Sequence, residues 1–225
     1  MYLHWQEEII TDFSQSAIEE MYNRGFVFTR FEKGNTQQTR SLRIDLSKFE
    51  LSSENRRVLK KNESLSLDIC HLPMPNYDWK IAKLAKDFYD NKFGAGVFSA
   101  NKIKELLTSD KSNFNFLLKY SWIASSPTAP RNDVGVGYAI CHETKNILHY
   151  SYPFYQRTSN KEQVTNIGMG MMLNAILWAK ENNKKYIYLG SFQRPTNVYK
   201  LQFAGLEWFD GEGWQTNLET LKKIL

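Results

Sequence analysis

One segment near the carboxyl end constrains the fold more than any other. Residues 146–155 predict a strand, a long helix is predicted over 169–182, and Tyr186–Leu189 predicts a short buried strand. The apolar positions that recur along this helix are Met169, Met172, Leu173, Ile176, Leu177 and Ala179. A helix that feeds a buried strand in this way is typical of layered α/β folds.

The rest of the chain supplies further strands and helices. Strands are predicted over 26–31, 41–46 and 134–140, and helices over 5–24, from 52 onward, over 79–93 and over 99–108. Residues 114–124 form an apolar and aromatic segment. Antiparallel strand pairs followed by a helix and another strand predict an α/β (α+β) fold. We expect a mixed, mostly antiparallel sheet flanked by helices.

Composition narrows the class of protein. The 225 residues are 42% hydrophobic and predict one large domain or two packed lobes. No apolar run reaches the ~20 residues that span a bilayer, and the first residues lack the pattern of a signal peptide. Two cysteines, Cys70 and Cys141, argue against a secreted disulfide scaffold. We therefore expect a soluble cytoplasmic protein with no membrane partner.

Basic residues are concentrated between positions 40 and 61. They are Arg40, Arg43, Arg56, Arg57, Lys60 and Lys61. Such a density of cations can bind a polyanion such as RNA, because phosphate neutralisation dominates nucleic-acid affinity. A solvated helix face explains the same charges equally well.

A glycine-containing turn precedes the long helix. Gly168, Met169 and Gly170 follow a predicted strand, and glycines there allow backbone N–H groups to point at an anion beside the helix N-terminus. The turn resembles the pyrophosphate-binding turn of GNAT acyltransferases, although Thr165 stands at the motif's first position. The resemblance implies a cofactor- or adenosine-binding turn; a tight helix entry that needs small residues is the alternative.

A second resemblance spans both ends of the chain. The segments that carry it are Gly25–Phe28, 41–49, 52–62, Tyr188–Gly190, Tyr199-Lys200 and Phe203. In this order they resemble the arginyl- and leucyl-tRNA–protein transferases of the N-degron pathway. The similarity covers about residues 20–65 and 146–210 and matches the middle of the chain poorly.

The resemblance implies a GNAT-like acyltransferase fold with an N-terminal lobe over 1–112 and a catalytic lobe over 113–225. It implies transfer of arginine or leucine from a charged tRNA to the N-terminal α-amine of an acceptor protein, including protein arginylation. Arg43, Arg56, Arg57, Lys60 and Lys61 would then contact substrate or tRNA. Aminoacyl-tRNA is the donor, so no cofactor is expected.

The chain departs from the family before its Arg-Ile strand. The family usually carries a cysteine cluster there, and this chain has 35–39, Asn-Thr-Gln-Gln-Thr. Metal or iron–sulfur regulation is therefore not expected. The four histidines are scattered without metal-ligand spacing, and Cys141 is expected to be buried and structural.

The candidate catalytic residues follow the strand 186–189. Gln193, Tyr199 and Lys200 offer an amide, a phenol and an ammonium, which can stabilise an oxyanion during aminolysis of an ester. We predict that Gln193→Ala or Tyr199→Phe lowers the transfer rate at least about tenfold. A loop amide bonded to backbone, a core tyrosine and a surface lysine are the corresponding structural explanations.

Two other functions fit the same residues. An N-acetyltransferase would use the Gly168–Gly170 turn to bind acetyl-CoA. A catalytically silent relative would bind RNA or protein only.

Overall fold

The computed structural model describes residues 3–123, 134–156 and 166–224. The chain forms two compact units, each built from separate segments. Unit 1 contains Met1–Ser52, His142–Ser151 and Ile176–Leu225, and unit 2 contains Ser53–Cys141 and Tyr152–Ala175. The predicted lobe boundary after residue 112 falls inside unit 2 and stays a prediction.

The described residues form strands and helices throughout. The strands are β1 Gln6–Ile9, β2 Phe26–Phe28, β3 Asn35–Gln38, β4 Ser41–Asp45, β5 Ser66–His71, β6 Phe116–Ile123, β7 Val134–Glu143, β8 Ile147–Tyr155, β9 Tyr186–Ser191, β10 Leu206–Phe209 and β11 Trp214–Gln215. The helices are α1 Gln15–Asn23, α2 Ser53–Lys61, α3 Trp79–Phe93, α4 Ala100–Thr108, α5 Ile167–Glu181 and α6 Leu218–Lys222, with a 3-10 helix over Pro195–Gln202.

Unit 1 contains an antiparallel sheet, β1-β3-β2, and a run of strands in the order β11-β10-β4-β9-β8. Within that run β8 and β9 are parallel, with Ile147, Leu148 and His149 opposite Tyr186, Ile187 and Tyr188. The pairs β10–β11, β10–β4 and β4–β9 are antiparallel. The sheet is therefore mixed and mostly antiparallel, as predicted.

Unit 2 contains the antiparallel strands β5, β6 and β7. Trp122 on β6 lies directly opposite Gly135 on β7, and its indole occupies the space into which a side chain at position 135 would project. Gly137 leaves room in the same way for Met171 of α5. Tyr120 donates a hydrogen bond from its hydroxyl to the Met171 carbonyl at 2.9 Å, which fixes α5 on this face.

The predicted helix over 5–24 is wrong at its beginning. Residues Gln6–Ile9 form β1, which pairs with β3, and the helix begins only at Gln15. Ser14 caps it, since its hydroxyl accepts from the backbone N–H of Ala17. The partner strand, β3, is almost entirely polar, so neither strand shows the apolar alternation by which strands are predicted.

The predicted helices in the middle of the chain are confirmed. Asp78 and Ser99 accept from backbone N–H groups in the first turns of α3 and α4, and Gly94 ends α3 with a φ of 97°. The predicted strand over 26–31 is shorter, because it ends at Phe28. Cys141 is fully buried, as predicted. Nowhere in the described ranges is a helix both long and apolar enough to cross a membrane.

Candidate functional site

The predicted basic helix is α2 in unit 2. It buries a narrow stripe against its unit and exposes its cations, because Asn55, Val58 and Asn62 recur at helical spacing on the inner side. The exposed cations are Arg56, Arg57, Lys60 and Lys61. Four of the five residues predicted to contact substrate or tRNA thus share the solvent side of one short helix.

These cations differ in how they are paired. Arg57 forms a bidentate ion pair with Glu54. Its Nη2 donates to Oε1 at 2.6 Å and its Nε donates to Oε2 at 2.7 Å. Within the described ranges, no ion pair engages Arg56, Lys60 or Lys61. Surface pairs are weak, so Arg57 can also turn toward a phosphate at little cost.

The predicted anion-binding turn forms the first turn of α5, also in unit 2. Asn166, at a φ of 75°, accepts from the backbone N–H groups of Met169 and Gly170, both at 2.9 Å. Gly168 lies beside the Tyr155 ring, and Thr165 lies outside the described residues. The turn does stand at a helix N-terminus, as the sequence predicts.

The turn and the basic helix meet through one residue. Asn62 directly follows α2 and is buried, and its side chain lies where a Cβ on Gly170 would be, with Cγ 2.8 Å from that position. Its Nδ2 donates to the Val58 carbonyl at 2.8 Å. Gly170 is therefore required for packing against α2, and unit 2 brings the carboxyl end of α2 to the amino end of α5.

Gln193 lies in unit 1 just beyond β9, and its side-chain amide is fully engaged. Its Oε1 accepts from the Leu3 backbone N–H at 2.9 Å, and its Nε2 donates to the Leu3 carbonyl at 2.7 Å. Nε2 also donates to the Thr39 hydroxyl at 2.6 Å. The amide thus pairs with residue 3 as a neighbouring strand would. These bonds hold the N-terminal segment, and a catalytic role for Gln193 stays a prediction.

Lys200 is buried in unit 1 and occupies the carboxyl end of β9. Its Nζ donates to the carbonyls of Leu189 at 2.7 Å and Ser191 at 3.3 Å. Tyr199, its neighbour in the 3-10 helix, is 42% exposed. Lys200 therefore shares the end of β9 with Gln193, whereas Tyr199 presents its ring to solvent.

Arg43 lies in the interior of unit 1. Its Nε donates to Glu207 at 2.8 Å, and its Nη1 donates to Asn23 and to the Tyr188 hydroxyl, each at 3.3 Å. The guanidinium carbon stands 4.0 Å from the Tyr186 ring centroid and 3.9 Å from that of Trp214. These contacts support a structural role; binding of substrate by Arg43 stays a prediction.

Arg40 is half-buried in unit 1. Its Nη1 lies 3.5 Å from the Phe192 carbonyl, and desolvation lowers the pKa of the guanidinium. Arg40 and Arg43 belong to unit 1, whereas the other four cations of the sequence cluster lie on α2 in unit 2.

Unit 1 also contains buried titratable groups to which the sequence assigned no catalytic role. The Tyr22 hydroxyl lies 2.8 Å from Nδ1 of His149, and burial lowers the pKa of His149 to about 3. Burial likewise raises the pKa of Tyr188 to about 12, against the opposing effect of Arg43. Both groups are therefore neutral near pH 7 and serve as interior hydrogen-bonding residues.

Known proteins that resemble the chain are distant. No family model matches it. It is 20% identical over 179 residues to an aspartate/glutamate leucyltransferase of Saccharophagus degradans, covering 78% of this chain and 70% of that one. It is 25% identical over 217 residues to an aspartate/glutamate leucyltransferase of Dinoroseobacter shibae, covering 91% and 73%.

Among solved structures, FemX superposes with a TM-score of 0.51 at 9% identity, covering 94% of this chain and 71% of that one. The likeness confirms the predicted GNAT-like mixed α/β fold. The two named relatives support an aminoacyltransferase, which agrees with the predicted enzyme class. Both are leucyltransferases, so transfer of arginine stays a prediction.

Proposed function

We propose that the protein transfers a leucyl group from charged tRNA to the N-terminal α-amine of an acceptor protein. The similarity to two leucyltransferases, which in one case extends over 91% of the chain, carries this proposal. The exposed cations of α2 support it, because a tRNA donor requires a surface that binds phosphates.

The reaction is the aminolysis of an ester. The acceptor nitrogen attacks the aminoacyl carbonyl, a C–N bond forms, and the C–O bond to the tRNA ribose breaks. The proton that the amine loses is balanced by the proton that the ribose oxygen gains. The donor is already activated as an ester, so the protein's task is to align the two substrates and stabilise the oxyanion.

The proposal gives a role to residues of unit 2 and, separately, to residues of unit 1. In unit 2, Arg56, Arg57, Lys60 and Lys61 would bind tRNA phosphates, and the first turn of α5 would receive an anionic or adenosine group. In unit 1, the positive charge of Lys200 at the end of β9 would stabilise the oxyanion. The exposed ring of Tyr199 would offer a face for stacking of adenine.

A transfer assay tests the proposal directly. The full chain is incubated with radiolabelled leucyl-tRNA, arginyl-tRNA or acetyl-CoA, together with peptides that carry different free N-termini. We expect label from leucyl-tRNA to appear on the peptide α-amine and not on an N-acetylated peptide.

A Lys200→Met variant tests the proposed stabilisation of the oxyanion separately from tRNA binding. It keeps the aliphatic stem and removes the charge, so we expect transfer at least about tenfold slower with tRNA affinity unchanged. Labelling from acetyl-CoA alone would replace the proposal by N-acetyl transfer, and tRNA binding without any transfer would support a silent relative.

A further inference from the structure

An extended segment of unit 1, Leu3–Trp5, lies against the loop that follows β9. The Leu3 backbone N–H donates to Oε1 of Gln193 at 2.9 Å, and Nε2 of Gln193 donates to the Leu3 carbonyl at 2.7 Å. The Thr39 hydroxyl donates to the same carbonyl, also at 2.7 Å. Side chains of unit 1 therefore bind both backbone groups of one residue, and none of these bonds depends on the Leu3 side chain.

Two residues further along the chain, Trp5 anchors the segment. Its backbone N–H donates to the Gln38 carbonyl at 2.9 Å. Its indole packs edge-on against Phe209, with ring centroids 6.2 Å apart. It also lies over Gly211, where a Cβ would come within 3.3 Å of the indole. The segment is thus held by its backbone at one position and by an aromatic ring two positions later.

The segment is more exposed than the residues that hold it. Trp5 is 38% exposed and Leu3 is half-buried, whereas Thr39 and Phe209 are buried. Segments with few buried contacts open more readily than the core beneath them. The surface under the segment, called the Gln193 surface, consists of Gln38, Thr39, Gln193 and Phe209.

The Gln193 surface adjoins the end of β9, where the proposed chemistry takes place. One residue separates Gln193 from Ser191, whose carbonyl accepts from the Lys200 ammonium at 3.3 Å. Leu3 is the end of the segment that lies at Gln193. A polypeptide bound in the same direction therefore has its preceding residues, and its α-amine, on the Gln193 side.

We propose that the Gln193 surface binds an extended peptide of the acceptor, and that the segment Leu3–Trp5 occupies this surface until the acceptor displaces it. The Gln193 amide and the Thr39 hydroxyl bind the backbone of one acceptor residue. The space beside Phe209 binds an aromatic side chain two residues later. This inference rests on the proposed function and adds a requirement on the acceptor, an unfolded stretch of chain after the reactive amine.

The pattern of hydrogen bonds favours a polypeptide over a nucleotide. A primary amide such as that of Gln193 can also bind the edge of an adenine, but it then faces a single base. Here the Thr39 hydroxyl and the Gln38 carbonyl continue the row of donors and acceptors, as they do when a strand is added to a sheet edge. The occupant in the structure is itself an extended polypeptide.

A capped peptide tests the surface without requiring turnover. The pentapeptide acetyl-Leu-His-Trp-Gln-Glu-amide has the sequence of positions 3–7 and carries no reactive amine. It is titrated into the full chain by calorimetry, beside the same peptide with alanine in place of tryptophan. We expect the tryptophan peptide to bind about tenfold more tightly, because alanine leaves the space beside Phe209 empty.

A variant of the full chain tests the competition. Trp5→Ala removes the anchor of the segment, and we expect it to bind the tryptophan peptide about tenfold more tightly than the parent chain does, since the surface is then open for a larger fraction of the time. Trp79→Ala is the matched control, because it removes a tryptophan of α3 in unit 2 that is 63% exposed. It should bind the peptide as the parent chain does. Thermal unfolding checks that both variants are folded.

Hydrogen exchange on the parent chain, followed by NMR, needs no variant. Saturating peptide should speed the exchange of the Leu3 and Trp5 amides, since displacement of the segment removes their acceptors. Adenosine at the same concentration should leave both rates unchanged.

The outcomes separate this inference from the proposed function. Equal peptide affinity in Trp5→Ala and the parent chain, or peptide binding without faster exchange at Leu3 and Trp5, would overturn the inference. Faster exchange with adenosine would make the surface a nucleotide site and also overturn it. Leucyl transfer without binding of the capped peptide would overturn the inference alone. Peptide binding with the expected changes but without leucyl transfer would overturn the proposed function and leave a peptide-binding surface.

Discussion

The two ends of the predicted basic cluster have opposite environments. Arg43 in unit 1 is buried, paired with Glu207 and held between two aromatic rings. Arg56, Lys60 and Lys61 in unit 2 are exposed and form no ion pair within the described ranges. Residues that look equivalent in sequence thus divide into one that stabilises its unit and three that are available to a ligand.

Gln193 also differs from the exposed cations of α2, because its hydrogen-bond partners lie inside its own unit. The amide of Gln193 already makes three hydrogen bonds inside unit 1, so a ligand would have to displace them. A polar residue whose partners are internal contributes first to stability. A cation on the outside of a helix contributes little to stability and can contribute fully to binding.

The largest effect is expected from Arg43→Met. The change removes the 2.8 Å partner of the buried Glu207 carboxylate and leaves it with the more distant Lys48 at 3.7 Å, so we expect a loss of about 3 kcal/mol in the free energy of unfolding. Urea denaturation measures it. The double variant Arg43→Met/Glu207→Gln should recover part of the loss, and an unchanged midpoint in Arg43→Met would remove the distinction between the two ends of the cluster.

The next largest effect is a loss of tRNA affinity when the cations of α2 are removed. In the triple variant Arg56→Gln/Lys60→Gln/Lys61→Gln we expect tRNA binding about a hundredfold weaker at low salt. The slope of log affinity against log salt should become about 2–3 smaller in magnitude. Stability should stay within about 0.5 kcal/mol of the parent chain.

The matched control for α2 replaces three exposed lysines elsewhere in unit 2, Lys80, Lys104 and Lys111, by glutamine. It changes the net charge equally. If both triple variants weaken tRNA binding by the same factor, overall charge and not α2 determines the affinity.

A smaller effect concerns the pH dependence of unit 1. The pKa of His149 is about 3 in the folded chain, against an ordinary value of 6.5, because burial disfavours the charged ring. The stability from this neutral histidine is complete above pH 6.5 and is lost as the pH falls toward 3. At pH 5 the loss is about 2 kcal/mol.

Urea denaturation between pH 5 and 7.5 measures this loss. His149→Phe should flatten the dependence by about one proton relative to the parent chain. Equal slopes in the two proteins would show that His149 is protonated in the folded state.

The smallest effect distinguishes the two glycines of the α5 turn. Gly170→Ala places a methyl against Asn62 and should cost about 1 kcal/mol. Gly168→Ala places a methyl 3.2 Å from Cε1 and the hydroxyl of Tyr155, a less severe contact than that of Gly170, and should cost less because alanine favours the helix. If Gly168→Ala instead weakens tRNA binding at unchanged stability, the turn is a ligand site.

Sequence patterns predicted elements whose local signals agree. The helix α3 has its cap at Asp78, its glycine stop at Gly94 and an apolar stripe, and its predicted bounds coincide with the observed ones. The prediction was wrong at β1 because the stability of this strand comes from partners that are distant in sequence. Glu7 accepts from Asn35 at 2.7 Å and from Gln37 at 3.1 Å, so two polar strands pair through side chains that no periodicity indicates.

The candidate site was predictable only in part. Exposure of α2 follows from the spacing of its few apolar residues, and the turn at Gly168 follows from its glycines. The engagement of Gln193 with residue 3 depends on a contact across 190 positions. The docking of Leu3–Trp5 depends on the pairing of β1 with β3, which was not predicted.

The side chains at positions 122 and 135 would compete for the same space in the sheet of unit 2. Because the indole fills the space of a side chain at 135, neither position can vary alone without cost. In a library selected for folding, a larger residue at 135 should accompany a smaller one at 122. A substitution at one of these positions therefore requires a compensating substitution at the other, and we expect the two positions to vary together.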